Sequence, residues 1–174
     1  MRAAPARAPR WGAALLAVAT AAGLIAGCGG GGGDDDDDGG GVETTLFPAD
    51  YADSYQEVRN CRKSGDHDLN NVRVLADPAA LTPYQNRVDA FPEGAVVIKE
   101  EYDFADDTCS GDLVQWTVMS KLAEGAAPDF LDWHWQTVDP ERNVADDNLV
   151  SCAGCHTDCG VPPVGYAGTC AQPP

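Results

Sequence analysis

Residues 95–103 read AVVIKEEYD, and residues 113–122 (LVQWTVMSKL) and 131–138 (LDWHWQTV) follow across polar or Gly- and Pro-bearing loops. All three runs are rich in β-branched and aromatic side chains, which are favoured in strands. Because strands follow one another here without βαβ alternation, the centre of the chain is predicted to be an antiparallel sheet.

Shorter elements flank these strands. Residues 71–76 predict a further strand, and residues 77–88, which begin Asp-Pro, predict a helix with an N-cap. Residues 91–94 (FPEG) predict a turn, and residues 146–159 predict a loop that enters a short helix. The expected fold is α+β: a mainly antiparallel β-sheet with a few short helices, in a single domain after a disordered Gly/Asp linker.

The amino terminus is typical of an exported lipoprotein. Three arginines precede an apolar stretch at residues 11–26, which is shorter than the ~20 residues of a transmembrane helix. The stretch ends in small residues directly before Cys28, as a signal peptidase requires. We therefore expect a lipoprotein signal peptide over residues 1–27 and a lipid on Cys28, with a permanent amino-terminal anchor as the alternative.

Residues 28–41 contain runs of Gly and Asp after the cysteine and no large apolar side chain. Such a segment cannot offset the entropy of ordering and is predicted to be a flexible linker. The folded domain is then expected over residues 42–174. The protein is predicted to be exported and lipid-anchored to the cell membrane, at the periplasmic face or the outer membrane.

The acidic composition excludes one class of partner. The chain has 11 Lys and Arg against 28 Asp and Glu residues, and three of the arginines fall in the predicted signal peptide. Such an acidic surface repels the phosphate backbone, so no nucleic-acid partner is expected.

Residues 152–156 read CAGCH. A C-x-x-C-H run is the signature of haem c, in which two thioether bonds hold the haem and the histidine ligates its iron. Cys152 and Cys155 are therefore predicted to bind the haem and His156 to be the proximal iron ligand. The alternatives are half of a zinc site, a thioredoxin-like redox pair or structural disulfides, but neither the further ligand spacing of zinc nor a βαβ context is present.

Export and haem attachment together account for all seven cysteines. One is assigned to lipid and two to haem, which leaves an even number for disulfide bonds in an oxidising compartment. Three connectivities are open, and free buried thiols are the alternative. We favour two pairs, Cys61 with Cys109 and Cys159 with Cys170.

Lys99 is unusual for its strand. Side chains alternate along a strand, so Val97, Lys99 and Glu101 share one face and the lysine extends an apolar row. The ordinary explanation is a lysine whose stem packs while its ammonium reaches water or pairs with Glu100 or Glu101.

Five segments in order carry a resemblance to a known family: VRVLADPAALTPY, AFPEGAVVIKEEYD, QWTVMSKL, DWHWQ and CAGCH. Over roughly residues 62–156 the chain resembles the cytochrome P-460 family, which includes the cytochromes c′-beta. The resemblance implies a mainly antiparallel β fold, commonly dimeric, with a five-coordinate haem c whose proximal ligand is His156.

The resemblance also implies two kinds of function. In P-460 members a lysine at the place of Lys99 is bonded covalently to the haem ring, and these members oxidise hydroxylamine and interact with nitric oxide. The c′-beta members bind small gases without that bond. We therefore expect either a hydroxylamine-oxidising enzyme or a gas-binding or electron-transfer cytochrome that works with a redox partner protein. A surface lipoprotein without haem is the third alternative.

Some positions depart from the family pattern or remain open. After His156 the chain continues into a short Cys-bearing tail, and no residue is assigned to the carboxylate that active members hold above the iron. Glu124 lies near the expected stretch, with an exposed loop glutamate as the alternative. Three residues are candidates for a second axial ligand, with hydrogen-bonded or core roles as the alternative: His67, His134 and Met119.

Overall fold

The computed structural model of the protein describes residues 43–148 and 150–171. The predicted signal peptide (1–27), the predicted lipid site at Cys28 and the predicted linker (28–41) lie outside the described residues. In the part of the chain that the structure describes, no helix is long and apolar enough to cross a membrane.

One six-stranded antiparallel sheet forms the domain, and each strand pairs with the strand that precedes it in sequence. The predicted α+β fold, mainly antiparallel sheet with a few short helices, is confirmed. The elements in chain order are β1 (Gln56–Lys63), β2 (Asn71–Ala76), α1 (Pro78–Asn86), β3 (Val96–Tyr102), β4 (Leu113–Lys121), β5 (Trp133–Val138), β6 (Val144–Asp147) and α2 (Val150–Cys159), with 3₁₀ turns at Tyr51–Asp53 and Pro128–Phe130.

The first helix begins where its sequence predicts. The Asp77 side chain accepts a hydrogen bond from the Ala80 N–H at 2.6 Å, which satisfies one of the free donors at the helix start. A proline follows at the first helical position, where its missing N–H removes no bond. The helix ends at Asn86, two residues before the predicted end, because Arg87 adopts a left-handed conformation.

The sheet separates two apolar clusters. On β3, Val97, Lys99 and Glu101 point to one face, here called the cavity face, and their neighbours Ile98 and Glu100 point to the opposite face. The cavity face packs against both helices through a cluster of twelve buried residues: Val74, Ala76, Ala80, Tyr84, Phe91, Ala95, Val97, Met119, Trp133, Trp135, Ala153 and Ala171. The opposite face is covered by the segment around Phe47 and Tyr51.

Strands β1 and β6 lie at the two edges of the sheet, and the sequence pattern did not predict them. β1 reads QEVRNCRK and β6 reads VADD, so neither has the apolar content that marks a buried strand. Both pair through irregular registers with bulges. Their charged side chains discourage a second sheet from pairing along these edges.

Two disulfide bonds join the cysteines as favoured from the sequence, Cys61 with Cys109 and Cys159 with Cys170. The first connects β1 to the loop between β3 and β4, across 48 residues of sequence. The second ties the carboxy-terminal tail to the end of α2. Cys152 and Cys155 are the cysteines left free among the described residues.

Candidate cofactor cavity

A cavity opens between the cavity face of the sheet and α2. It consists of two adjoining hollows of about 250 Å³ and about 370 Å³. The two hollows are neighbours, because eight residues line both: Ser64, Asp66, Val97, Lys99, Met119, His156, Cys159 and Cys170.

Helix α2 presents the C-x-x-C-H residues to this cavity. Cys152, Cys155 and His156 are spaced three and four residues apart, so they fall on one side of the helix. All three line the cavity. Cys152 is partly buried and Cys155 is exposed, whereas His156 is buried against the sheet, with its ring 4.6 Å from the Trp135 ring.

The His156 ring is held in one orientation by the backbone. Its Nδ1 lies 2.6 Å from the Gly168 carbonyl oxygen, which can only accept, so Nδ1 carries the proton and Nε2 carries the lone pair. Burial, together with the charge of the nearby Lys99, lowers the pKa of His156 to about 3. A neutral imidazole whose other nitrogen is bonded to a carbonyl is the usual form of a metal-ligating histidine.

The Cys-bearing tail, where the chain departs from the family pattern, supplies that carbonyl. Trp133 donates its indole N–H to the Ala167 carbonyl oxygen at 2.9 Å, and the Cys159–Cys170 bond closes the tail onto α2. Gly168 has a φ of +83°, and a Cβ at this position would lie 2.9 Å from the Trp133 indole nitrogen. Only glycine fits here without displacing the carbonyl that His156 contacts.

Across the cavity, Lys99 contacts a histidine from the loop between β1 and β2. Its Nζ lies 2.7 Å from His67 Nε2. Burial lowers the pKa of Lys99 to about 8, although the charge of Glu101 acts in the opposite direction. The hydrogen-bond partner of the Lys99 amine is His67, and neither Glu100 nor Glu101 is bonded to it. Glu100 bonds Arg73 and Tyr102 on the opposite face.

Glu101 is a buried carboxylate in the cavity wall, with an exposed fraction of 0%. Burial alone would raise its pKa, but hydrogen bonds and the neighbouring His67 hold the pKa below its usual value. Its oxygens have four side-chain partners: His67 Nδ1 at 2.8 Å, Asn70 Nδ2 at 3.2 Å, Gln115 Nε2 at 3.0 Å and Thr117 Oγ1 at 3.1 Å.

The structure separates the other sequence candidates. His134 lies on the opposite face, where its Nε2 is 2.6 Å from Asp147 Oδ1, so it takes the hydrogen-bonded role weighed as the alternative. Glu124 is exposed and does not line the cavity. Met119 is buried in the apolar cluster and also lines both hollows. His67 reaches the cavity, but its two nitrogens contact Glu101 and Lys99.

These residues fit a haem joined through the C-x-x-C-H run. Two free thiols and a neutral imidazole lie side by side at a cavity whose walls include the apolar Val97 and Trp135. A zinc site fits less well. In the described part of the chain, the group of metal-binding side chains at His156 includes two cysteines that form a disulfide bond and therefore offer no thiolates.

Comparison with known families gave one match. The model of a family described as Cytochrome P460 matches residues 48–160 of the 174. The matched stretch contains every strand and both helices, and it ends before most of the tail that holds the His156 ring. No curated protein matched the chain.

Proposed function

The chain belongs to the cytochrome P460 family, whose members carry covalently attached haem c, and from this premise we propose that it oxidises hydroxylamine at a five-coordinate haem. Cys152 and Cys155 would hold the thioether bonds, and His156 would ligate the iron on one side. The other side would remain open to a small nitrogen compound. The same open position would react with nitric oxide.

The observation that supports an enzyme is the Glu101 carboxylate in the cavity wall. A cavity for gas binding alone needs no acid, because binding of nitric oxide or carbon monoxide transfers no proton. Oxidation of hydroxylamine releases a proton with each electron, so it needs acceptors for both. Glu101 and His67 form a hydrogen-bonded pair beside Lys99, and all three line the cavity.

The haem would supply an iron that binds the substrate nitrogen and takes up its electrons. The chain's own residues would set the surroundings. Trp135 packs edge-on against the His156 ring, while Val97 and Met119 provide apolar wall. An apolar wall limits water and strengthens the effect of the few charged groups that face the cavity.

Lys99 is proposed as the residue that bonds to the haem ring, as the family resemblance implies. The residue lines both hollows of the cavity, and its lowered pKa leaves a large share of neutral amine at mildly alkaline pH. A neutral amine has the lone pair that such a bond requires. The new C–N bond would replace a ring C–H bond, so two protons and two electrons would leave to an external two-electron oxidant such as a peroxide. An amine without this bond would serve as a hydrogen-bonding group in the cavity.

Export and anchoring are part of the same proposal. The lipoprotein box before Cys28 would place the domain on the outer side of the cytoplasmic membrane, at its periplasmic face or on the outer membrane. Electrons taken from hydroxylamine must leave to a redox partner protein, and the strongly acidic surface of this chain suits a basic partner. A homodimer, as the family resemblance implies, belongs to the same proposal.

A second candidate is a non-enzymatic gas-binding or electron-transfer cytochrome. The apolar wall of Val97, Met119 and Trp135 favours it, because a dry apolar surface binds uncharged gases without acid–base groups.

Anaerobic mixing of the ferric haem-loaded protein with hydroxylamine tests the proposal. We expect the haem to become reduced, followed by reduction of an added one-electron acceptor with turnover. The matched variant is Glu101→Gln, which should slow the reaction, and Glu124→Gln is its exposed control. Nitric oxide binding without any hydroxylamine-dependent reduction of the acceptor would leave the gas-binding function instead.

A further inference from the structure

The contacts of Glu101, His67 and Lys99 define which group is the donor in each of their hydrogen bonds. Glu101 Oε2 lies 3.2 Å from Asn70 Nδ2 and 3.0 Å from Gln115 Nε2, and both amide nitrogens only donate. Glu101 Oε1 accepts from Thr117 Oγ1 and lies 2.8 Å from His67 Nδ1. The carboxylate is therefore ionised and acts as the acceptor of every bond, so His67 Nδ1 carries a proton.

The other nitrogen of His67 then has the lone pair when the ring is neutral. Nε2 lies 2.7 Å from Lys99 Nζ, so Lys99 donates and His67 accepts. We propose that these residues form a proton relay in the cavity that would hold the haem, in which Glu101 orients His67 and His67 takes the proton of Lys99. The relay rests on the proposed function for its role, because oxidation of hydroxylamine requires an acceptor for its protons.

This arrangement has the division of roles of a nucleophile, a base and an orienting carboxylate. The carboxylate holds the imidazole in one tautomer and stabilises the imidazolium that forms when the proton arrives. The His67 side chain is 17% exposed, whereas Glu101 is fully buried, so the histidine is the member that reaches water. A Lys99 nitrogen bonded to the haem ring would keep one N–H, so it can pass that proton to His67 and take its replacement from the cavity, after which His67 releases the proton to solvent.

Other charged groups near Lys99 do not replace His67 as the acceptor. Asp66, Cys152 and Cys155 act on the lysine through their charge, and Asp66 lies in the exposed loop. The two sulfurs carry no charge once they form thioethers with haem. His156 on α2 already directs its Nδ1 proton to a backbone carbonyl.

The chain contains a matched control for this histidine. His134 also bonds a carboxylate, with its Nε2 2.6 Å from Asp147 Oδ1, but it lies on the opposite face of the sheet. His67→Gln and His134→Gln therefore remove the same kind of histidine–carboxylate pair, and only the first removes a group from the cavity.

Nitrogen NMR of the ¹⁵N-histidine-labelled, haem-loaded protein in its diamagnetic ferrous carbonyl form tests the tautomer. The chain has three histidines, so the two Gln variants assign the His67 signals. In the neutral His67 ring we expect a protonated Nδ1 and a bare Nε2. A protonated Nε2 with a bare Nδ1 would overturn the relay, because His67 would then donate to Lys99.

The rates of hydroxylamine oxidation and of nitric oxide association test the role of His67 as a proton acceptor. His67→Gln should slow reduction of ferric haem by hydroxylamine about 100-fold, while nitric oxide association stays within about twofold, because only the first reaction transfers protons. His134→Gln should change neither rate. Equal losses of both rates in His67→Gln, or no loss of either, would contradict the relay. If the wild-type protein does not oxidise hydroxylamine, the proposed function fails and the NMR result alone decides the relay.

Discussion

Glu101→Gln probes the network that holds the cavity wall together. The carboxylate has four partners at 2.8–3.2 Å, and all of them donate to it. Glutamine keeps one acceptor oxygen and replaces the other by an NH₂ group, which itself donates. Asn70 and Gln115 can turn their amides to accept from that group, but His67 and Thr117 then bond a neutral oxygen instead of a charged one.

The expected cost follows from these exchanges. A hydrogen bond to a charged group contributes ~1.5–3 kcal/mol to stability, and a bond between neutral groups contributes ~0.5–1.5 kcal/mol. Because two bonds are weakened and two others are rearranged, the free energy of unfolding of Glu101→Gln should fall by about 2–4 kcal/mol. In a domain of this size such a loss lowers the melting temperature by roughly 10 °C. The exposed control Glu124→Gln should stay within about 0.5 kcal/mol of wild type.

The loss of unfolding free energy in Glu101→Gln should depend on pH, and the lowered pKa of Glu101 determines the direction. The pKa of Glu101 is lower in the folded protein than in the unfolded chain, where it is about 4.3. The stability it contributes is therefore complete above that value and disappears as the pH falls through the folded-state pKa. The difference in unfolding free energy between wild type and Glu101→Gln should be largest at neutral pH and shrink in acid.

Urea unfolding of the haem-loaded proteins, followed by circular dichroism at a series of pH values, measures this difference. A difference below about 0.5 kcal/mol at pH 7, where surface substitutions fall, would refute the view that Glu101 is a charged hub of the cavity wall. So would a difference that does not narrow below pH 4.

Three further outcomes are expected. The double variant Cys152→Ala/Cys155→Ala should lose haem after denaturation, and a denaturing gel stained for haem peroxidase checks it; an unstained wild-type band from a host that matures c-type haem would contradict covalent attachment. Cys28→Ser should abolish incorporation of labelled fatty acid, and equal labelling of both proteins would rule out the lipid assignment. Gly168→Ala should destabilise the protein more than Gly125→Ala and should shift the haem reduction potential. Both glycines have a positive φ, but only a Cβ at Gly168 meets the Trp133 indole. Equal melting temperatures and equal reduction potentials in the two variants would argue against the tail as the support of the iron ligand.

Local patterns predicted the parts of this protein that local sequence determines. The strand predicted at residues 95–103, the Asp77 cap and the short helix that carries the C-x-x-C-H run each depend on neighbours within a few residues, and the structure has all three. The edge strands β1 and β6 escaped prediction because they bury little apolar surface and form through pairing with their neighbours.

The buried acid of the cavity could have been found from the sequence, whereas its partner could not. Glu101 shares a strand face with Lys99, so strand alternation already placed it beside the lysine. Its partner His67 lies 34 residues away in a loop and approaches only when β1, β2 and β3 pair in their observed register. The Gly168 carbonyl that holds His156 had no signal in the sequence, since any tail residue could have provided it.

The optical spectrum of the purified ferrous protein tests the central claim most directly, because it reports haem attachment, iron coordination and modification of the ring together. We predict a five-coordinate haem whose Soret band lies far to the red of an ordinary haem c, and a return to the ordinary position in Lys99→Ala with the haem still attached. Intact-mass measurement and peptide mapping of Lys99 would accompany the spectrum. A six-coordinate, low-spin spectrum with an ordinary Soret band would contradict the account, because a protein ligand would then close the position at which hydroxylamine must bind.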